Sequence, residues 1–300
     1  MAEAVVPRPK VRGLSFVRLL WERYAFEIYL MRRNPMTMLG LSIIVVIVLL
    51  GLLAPVLAPY APLDVNPSER LQGLSLAHWM GTDDFGRDIF TRILFATRVD
   101  LLIALSAVSV AAVIGVSLGS VAGYFRGALD EFIMRTLDVI QAFPAFILAM
   151  GLAVALGSGK ANIVYVVGFI MIPIFARLVR SEMLSARERG YTEAAVCMGA
   201  SQAEIIFVHL LPNCLTAVLV QFALGMSYAI LDAAALSFIG LGVRPPEAEW
   251  GSMVNQGVGY IVSGEWWMSI FPGLIMAVCI LGFNLLADGL RDVFDPKLRS

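Results

Sequence analysis

The chain has 300 residues, of which 59% are hydrophobic and only 15% charged, with a mean hydropathy of +0.82. A soluble domain carries about 25% charge, so most of this chain is built for lipid. The formal net charge of −1 leaves no basic footprint for nucleic acid.

Short motifs exclude further classes. Cys197, Cys214 and Cys279 lack C-x-x-C spacing and read as reduced thiols that pack as small hydrophobes. The two histidines, His78 and His209, lie far apart and form no H-E-x-x-H metal motif. "GSGKA" at 157–161 resembles the end of a phosphate-binding loop. Val154 and Ala161 stand where that loop needs Gly and Ser/Thr, so the stretch is a turn.

In chain order, residues 14–30 place Ser15, Arg18, Glu22, Arg23 and Glu27 on one helical arc, with Leu19, Leu20, Phe26, Ile28 and Leu30 largely away from it. This reads as an amphipathic helix on the inner membrane surface, or one packed on its own bundle. Crossing roughly 30 Å of hydrocarbon takes about 20 apolar residues. Six runs qualify: 36–57, 101–125, 132–156, 163–178 (short and broken by Pro173), 215–241 and 267–286. The predicted fold is therefore all-α, a polytopic membrane protein of six transmembrane helices. Gly115 and Gly119 form a G-x-x-x-G in the second run, suited to internal packing or a dimer seam.

Basic residues concentrate before the first run and in alternate loops: Arg126 and Arg135, then Arg177, Arg180, Arg187 and Arg189, then Arg291, Lys297 and Arg299. The positive-inside rule makes both termini cytoplasmic. The organisation expected is a cytoplasmic segment 1–35, a first span 36–58, an extracytoplasmic loop 59–100, a core 101–290 containing a cytoplasmic loop 181–213, and a tail 291–300.

That cytoplasmic loop holds "GYTEAAVCMGASQAEIIFVHLLPN" (190–213). "SARERGYTEAAVCM" reads as a helix stopped by Gly199, and Ser201-x-x-Glu204 as a capping box that starts a second helix, interrupted at Pro212. Two short helices meeting at a glycine thus stand at the inner face. By pattern alone, Glu193 either pairs with a basic residue of a partner or only solvates its helix. Arg187 and Arg189 read as ordinary inner-face charges.

Other charges raise their own questions. "GTDDFGRD" (81–88) is either a charged turn, with Arg87 paired locally to an aspartate, or a docking surface through Asp83, Asp84, Arg87 and Asp88. A charge at membrane depth costs at least about 2.5–3.5 kcal/mol, so Asp138 and Asp232 need partners or water. Arg135 is the nearest cation to Asp138 along the chain. Asp232, with Ser227, is a candidate for a translocation pathway, or for a hydrogen bond to a neighbouring helix.

Glu193-Ala194-Ala195, Gly199 and "HLLPN" resemble the EAA loop of bacterial ABC-importer permeases. "HWMGTDDFGRD" (78–88), "ALSFIGLGVRPPEAEWGSM" (235–253) and "FNLLADGLRDVFDPKLRS" (283–300) are similar to stretches of the C-type permeases of dipeptide and oligopeptide systems. Four ordered blocks over roughly 35–300 make the resemblance specific. Cys197 and Met198 depart from it where alanine and a small or leucine-like residue are expected. The resemblance implies a type I ABC-importer permease fold in a bacterial inner membrane. It implies that Tyr191, Glu193, Ala194, Ala195, Gly199 and Ala200 couple to an ATPase, with Ala194 and Ala195 allowing close approach. Implied partners are a homologous B-type permease, two nucleotide-binding ATPase subunits and an extracytoplasmic substrate-binding protein. The chain itself then needs no cofactor; ATP and Mg2+ belong to the ATPases. Short peptides are the implied cargo, with glutathione, opines or nickel chelates as alternatives. A competing class, a proton-coupled secondary transporter using Asp232 as relay, would show inverted repeats, and no convincing repeat is visible. An intramembrane enzyme would need a nucleophile–base or metal pair, and the six runs contain no histidine.

Overall fold

The computed structural model of the protein describes residues 29–294. The expected amphipathic helix at 14–30 falls almost wholly outside them, as does the tail from 295. Among the described residues the fold is organised by helices α1 (Pro35–Leu52), α2 (Ala54–Leu57), α3 (Ile89–Phe125), α4 (Gly127–Gln141), α5 (Ala145–Leu156), α6 (Lys160–Arg187), α7 (Gly190–Cys197), α8 (Leu211–Phe238), α9 (Trp250–Val258) and α10 (Trp267–Phe294). The described residues contain no strand, only an isolated bridge between Thr82 and Asp88. Among the described residues, five helices, α8 with its lead-in among them, are long and apolar enough to cross a membrane, or six spans if the bent α4–α5 pair counts as one.

The core of the bundle is the α3–α6 contact. Gly115, Gly119 and Gly123 recur every four residues on α3, so they form one stripe. A Cβ on Gly115 would stand 2.5 Å from Phe175 Cβ, and one on Gly123 2.7 Å from Met183 Cβ. The G-x-x-x-G therefore serves internal packing, not a dimer seam. At the chain's start, Asn34 caps α1 by accepting from Met36 N (2.9 Å) and Thr37 N (3.3 Å), with Pro35 at the first helical position. The other end of α1 is closed from a distance: Arg98 of α3 donates to Gly51 O (2.6 Å) and Leu52 O (2.7 Å).

Two of the expected spans differ from expectation at their prolines. The expected third span is two helices bent by 85°. Phe143, preceding Pro144, is disfavoured in the helical region, and Pro144 itself is extended at ψ 124°. Moreover, 127–141 carries Asp130, Glu131, Arg135 and Asp138, so α4 is a charged amphipathic helix; only the 12 residues of α5 are apolar throughout. The fourth span is neither short nor broken. α6 runs for 28 residues through buried Pro173, because neighbouring helices hold it where one backbone hydrogen bond is missing. Asp138 also finds a different partner: Arg177 Nη2 lies 2.6 Å away, while Arg135 pairs with Glu131 at 3.3 Å. With Arg180 donating to both oxygens of Asp130 (2.5 and 2.7 Å), these bonds strap α4 to α6.

Candidate functional site

The loop after α6 forms a small helical projection. The expected continuous helix over 185–198 is split: α6 ends at Arg187, Glu188 and Arg189 turn, and α7 starts at Gly190. Thr192 Oγ1 donates to Ala186 O (2.9 Å), so the last turn of α6 holds the first turn of α7. Arg187 Nη1 donates to Tyr124 O (2.6 Å), and Glu188 pairs with Arg126 at 3.1 Å. Both contacts bind the projection to the end of α3, so Arg187 is more than a solvated charge.

The stop signals work as their chemistry requires. Gly199 adopts φ +82°, Gly199 N donates to Val196 O (3.0 Å) and Ala200 N to Ala195 O (3.1 Å), which is a Schellman termination. Glu204 N then donates to Ser201 Oγ (3.2 Å), opening the next turn. Pro212 does not interrupt that helix. Gln202–Glu204 leads through a π-helical stretch, Ile205–Leu210, directly into α8, and Leu211 N–H reaches back to Ile206 O. The proline thereby sits in the first turn of α8, where its missing donor is least costly.

Of the predicted coupling residues, Tyr191, Glu193, Ala194 and Gly199 face outward, and Ala200 is half-buried. Ala195 does not face a partner: with Thr192 it is buried against the rest of the chain, at 1% exposure. Close approach from outside is left to Ala194. Met198, 81% exposed, and Val196 extend an apolar tip beside Glu193 that the motif alone did not announce. No hydrogen bond or ion pair from a described residue reaches the Glu193 carboxylate.

At the opposite end of the bundle, "GTDDFGRD" is folded inward. Asp83 accepts from Phe85 N (2.8 Å), Arg87 N (3.0 Å) and Arg87 Nε (2.7 Å), and lies 3.6 Å from Arg92 Nε. Asp88 caps α3 by accepting from Thr91 N (2.7 Å) and stands 2.9 Å from Nδ1 of His78, whose ring stacks on Tyr60. Asp83 and Asp88 are 3% exposed, so neither presents its carboxylate as a docking surface. Asp84 is half-buried and contacts Gln256 Nε2 of α9 and, at 3.5 Å, Tyr260 Oη. Replacing Asp83 with Asn strands two buried guanidiniums, and should destabilise this end by about 3–5 kcal/mol. Protease sensitivity of residues 59–88 in the purified protein checks it; wild-type resistance would refute it.

A second carboxyl pair was not visible in the pattern. Glu249, fully buried, accepts from Gly251 N (2.9 Å) and Ser252 N (2.8 Å) to cap α9, while Asp100 of α3 accepts from Trp250 N (3.1 Å). Burial pushes the Glu249 carboxyl above the usual range, against the pull of its Ser252 and Gly251 N–H donors. Only a hint existed in the sequence: an aspartate one residue before the apolar run at 101.

Within α8, Ser227 is buried and donates to Ile280 O of α10 (3.2 Å), so it joins two helices of this chain. Asp232 is half-buried and no described residue bonds its carboxylate. Gln221 and Tyr228 lie on the same helical face.

Residues 115–300 match the family model described as "binding-protein-dependent transport system inner membrane component". The chain belongs to that family. Residues 28–73 of this permease also match the N-terminal transmembrane domain of oligopeptide transport permease C, a region that includes α1. It is 43% identical over 270 residues to a dipeptide transport system permease protein of Alkalihalophilus pseudofirmus, covering 90% of this chain and 88% of the relative. A glutathione transport system permease protein of Pectobacterium atrosepticum is 41% identical over 293 residues, 97% of this chain and 96% of its own. A probable D,D-dipeptide transport system permease protein of Escherichia coli is 39% identical over 294 residues, 98% and 95% respectively. The permease is thus a multi-pass inner-membrane component, and membership implies operation with a binding protein and an ATPase. Its α7 is the projection that bears the EAA residues, and its Asp83–Arg92 knot braces the other end.

Proposed function

We propose that this permease is one half of the membrane pathway of an ATP-driven importer of short peptides, and that α7 receives the ATPase stroke. The observation that carries the reading is mechanical. α7 exposes Glu193, Ala194 and an apolar tip, yet is tied to α6 through Thr192 and to α3 through Arg187. Because α3 and α6 are interlocked along the glycine stripe, force on α7 moves the two helices as one body rather than bending a loop. α7 then faces the cytoplasm, as do both termini, and the Asp83 knot faces the binding protein.

One chain encloses only part of a channel, so the assembly holds a homologous B-type permease, two ATPase subunits that bind ATP and Mg2+, and an extracytoplasmic binding protein. This chain carries no ATPase site of its own. The carboxylate of Asp232 turns toward the shared pathway, where water or cargo relieves the cost of a charge at membrane depth. Peptide cargo follows from the dipeptide-transporting relatives; the glutathione relative keeps a γ-linked tripeptide within range.

The test is uptake by the complete complex in proteoliposomes. Uptake of a labelled dipeptide is expected to require ATP inside and binding protein outside, and to survive collapse of the proton gradient. Uptake by the isolated chain, driven by protons without ATPase, would overturn the reading.

A further inference from the structure

A cavity of about 750 Å³, mostly apolar but with several charged side chains in its lining, opens at the end of the bundle opposite α7, between the start of α3, the loop 239–249 and α9. Its volume lies within the range of about 300–1,000 Å³ usual for small-ligand sites. Asp84, Arg87, Arg92, Arg244, Asn255 and Gln256 line it. Most of these charges are answered nearby. Arg87 holds Asp83 at 2.7 Å, Glu247 at the rim holds Lys160 at 2.7 Å, and Asp84 is occupied by Gln256 and Tyr260.

Two guanidiniums are answered weakly or not at all. Arg92 is 3% exposed, yet its contacts are at the limit of bonding: Nη1 to Pro62 O at 3.4 Å and Nε to Asp83 at 3.6 Å. Asp83 is already committed to Arg87, so one carboxylate serves two buried cations. A guanidinium has five N–H donors and cannot discharge by losing a proton. Arg92 therefore stands beside the cavity held only by long contacts, with donor capacity left for a further acceptor. Arg244, exposed, lines the same cavity and makes no ion pair or hydrogen bond with any described residue. Neither arginine belongs to the coupling machinery.

We infer that this cavity receives the C-terminal carboxylate of the cargo, held by Arg92 within and Arg244 at the mouth. The inference rests on the peptide-importer reading and deepens it: the permease, not only the binding protein, discriminates a free carboxylate. A planar guanidinium suits a carboxylate by paired N–H donors. Asn255, also exposed, adds a neutral amide to the lining.

The test uses the complete transporter in proteoliposomes with the binding protein saturated by either a dipeptide or the same dipeptide amidated at its C-terminus. Saturation removes the binding protein's own preference from the comparison. In Arg244→Gln the preference of uptake for the free acid over the amide is expected to shrink about tenfold, the scale of one charge-assisted hydrogen bond, and Arg244→Lys should restore part of it. Arg92→Gln is expected to shrink it further where the complex assembles. An unchanged preference in the Arg244 variant, or an equal loss of both peptides, would overturn the inference and leave the importer reading intact. Failure of the wild-type complex to take up either peptide would overturn both.

Discussion

Glu193→Lys is expected to lower peptide-stimulated ATP hydrolysis of the assembled transporter by at least about tenfold, with the chain still inserted and folded. The folding half of this expectation follows from the geometry. Glu193 is exposed and bonded to no described residue, so its removal leaves no buried group without a partner. Its one contribution within the chain is a negative charge in the first turn of α7, worth about 0.3–1 kcal/mol against the helix dipole. The termination at Gly199 and the Thr192–Ala186 bond, which hold α7 in place, are untouched. The functional half follows from interface electrostatics: reversing a charge buried against a partner costs about 2–5 kcal/mol, mostly as faster dissociation. ATPase rate with liganded binding protein, measured beside the amount of chain in the membrane, checks both halves. Normal stimulation at normal abundance would remove Glu193 from the contact with the ATPase.

The larger structural effect belongs to Gly119→Leu. A Cβ at Gly119 runs into the carbonyl oxygen of Ala176 and stands 3.0 Å from Val179 Cβ. The nearest obstacle is backbone, so no side-chain rotation relieves it; α3 and α6 must separate. Overpacking a formed core costs about 1–3 kcal/mol, and here separation also loosens the neighbouring contacts at Gly115 and Gly123, against a total stability of about 5–15 kcal/mol. The variant is expected to accumulate at less than about a tenth of the wild-type level in membranes. Gly151→Leu in α5 is the matched control, since nothing lies within 4 Å of a Cβ there. Equal accumulation of both variants would show that the stripe does not hold the bundle.

How much of this was readable from residue order differs from place to place. The lipid setting, the family likeness and the helix ends near Gly199 and Ser201 were legible, because each depends on composition or on atoms within one or two turns. The two short helices flanking Gly199 were legible in the chain, but not the division at Glu188, which rests on bonds from Thr192 and Arg187 to other elements. Pro144 and Pro173 carry the same ring and the same missing donor. One ends a charged helix and turns the chain by 85°, while the other lies buried inside an unbroken run of helix.

Charges show the same split. Nearness along the chain pointed Asp138 to Arg135, yet Arg177, 39 residues away, reaches it. "GTDDFGRD" displayed its acids in the sequence and hides two of them in the fold: Arg87 answers Asp83 locally, as the charged-turn reading expected, while Arg92 and His78 reach in from outside the stretch. Period, cap and turn are decided by neighbours along the backbone, and so they survive translation into a string of letters. Which side a residue faces, and which cation answers a carboxylate, is decided by helices brought together from distant parts of the chain, and only the packed bundle sets that.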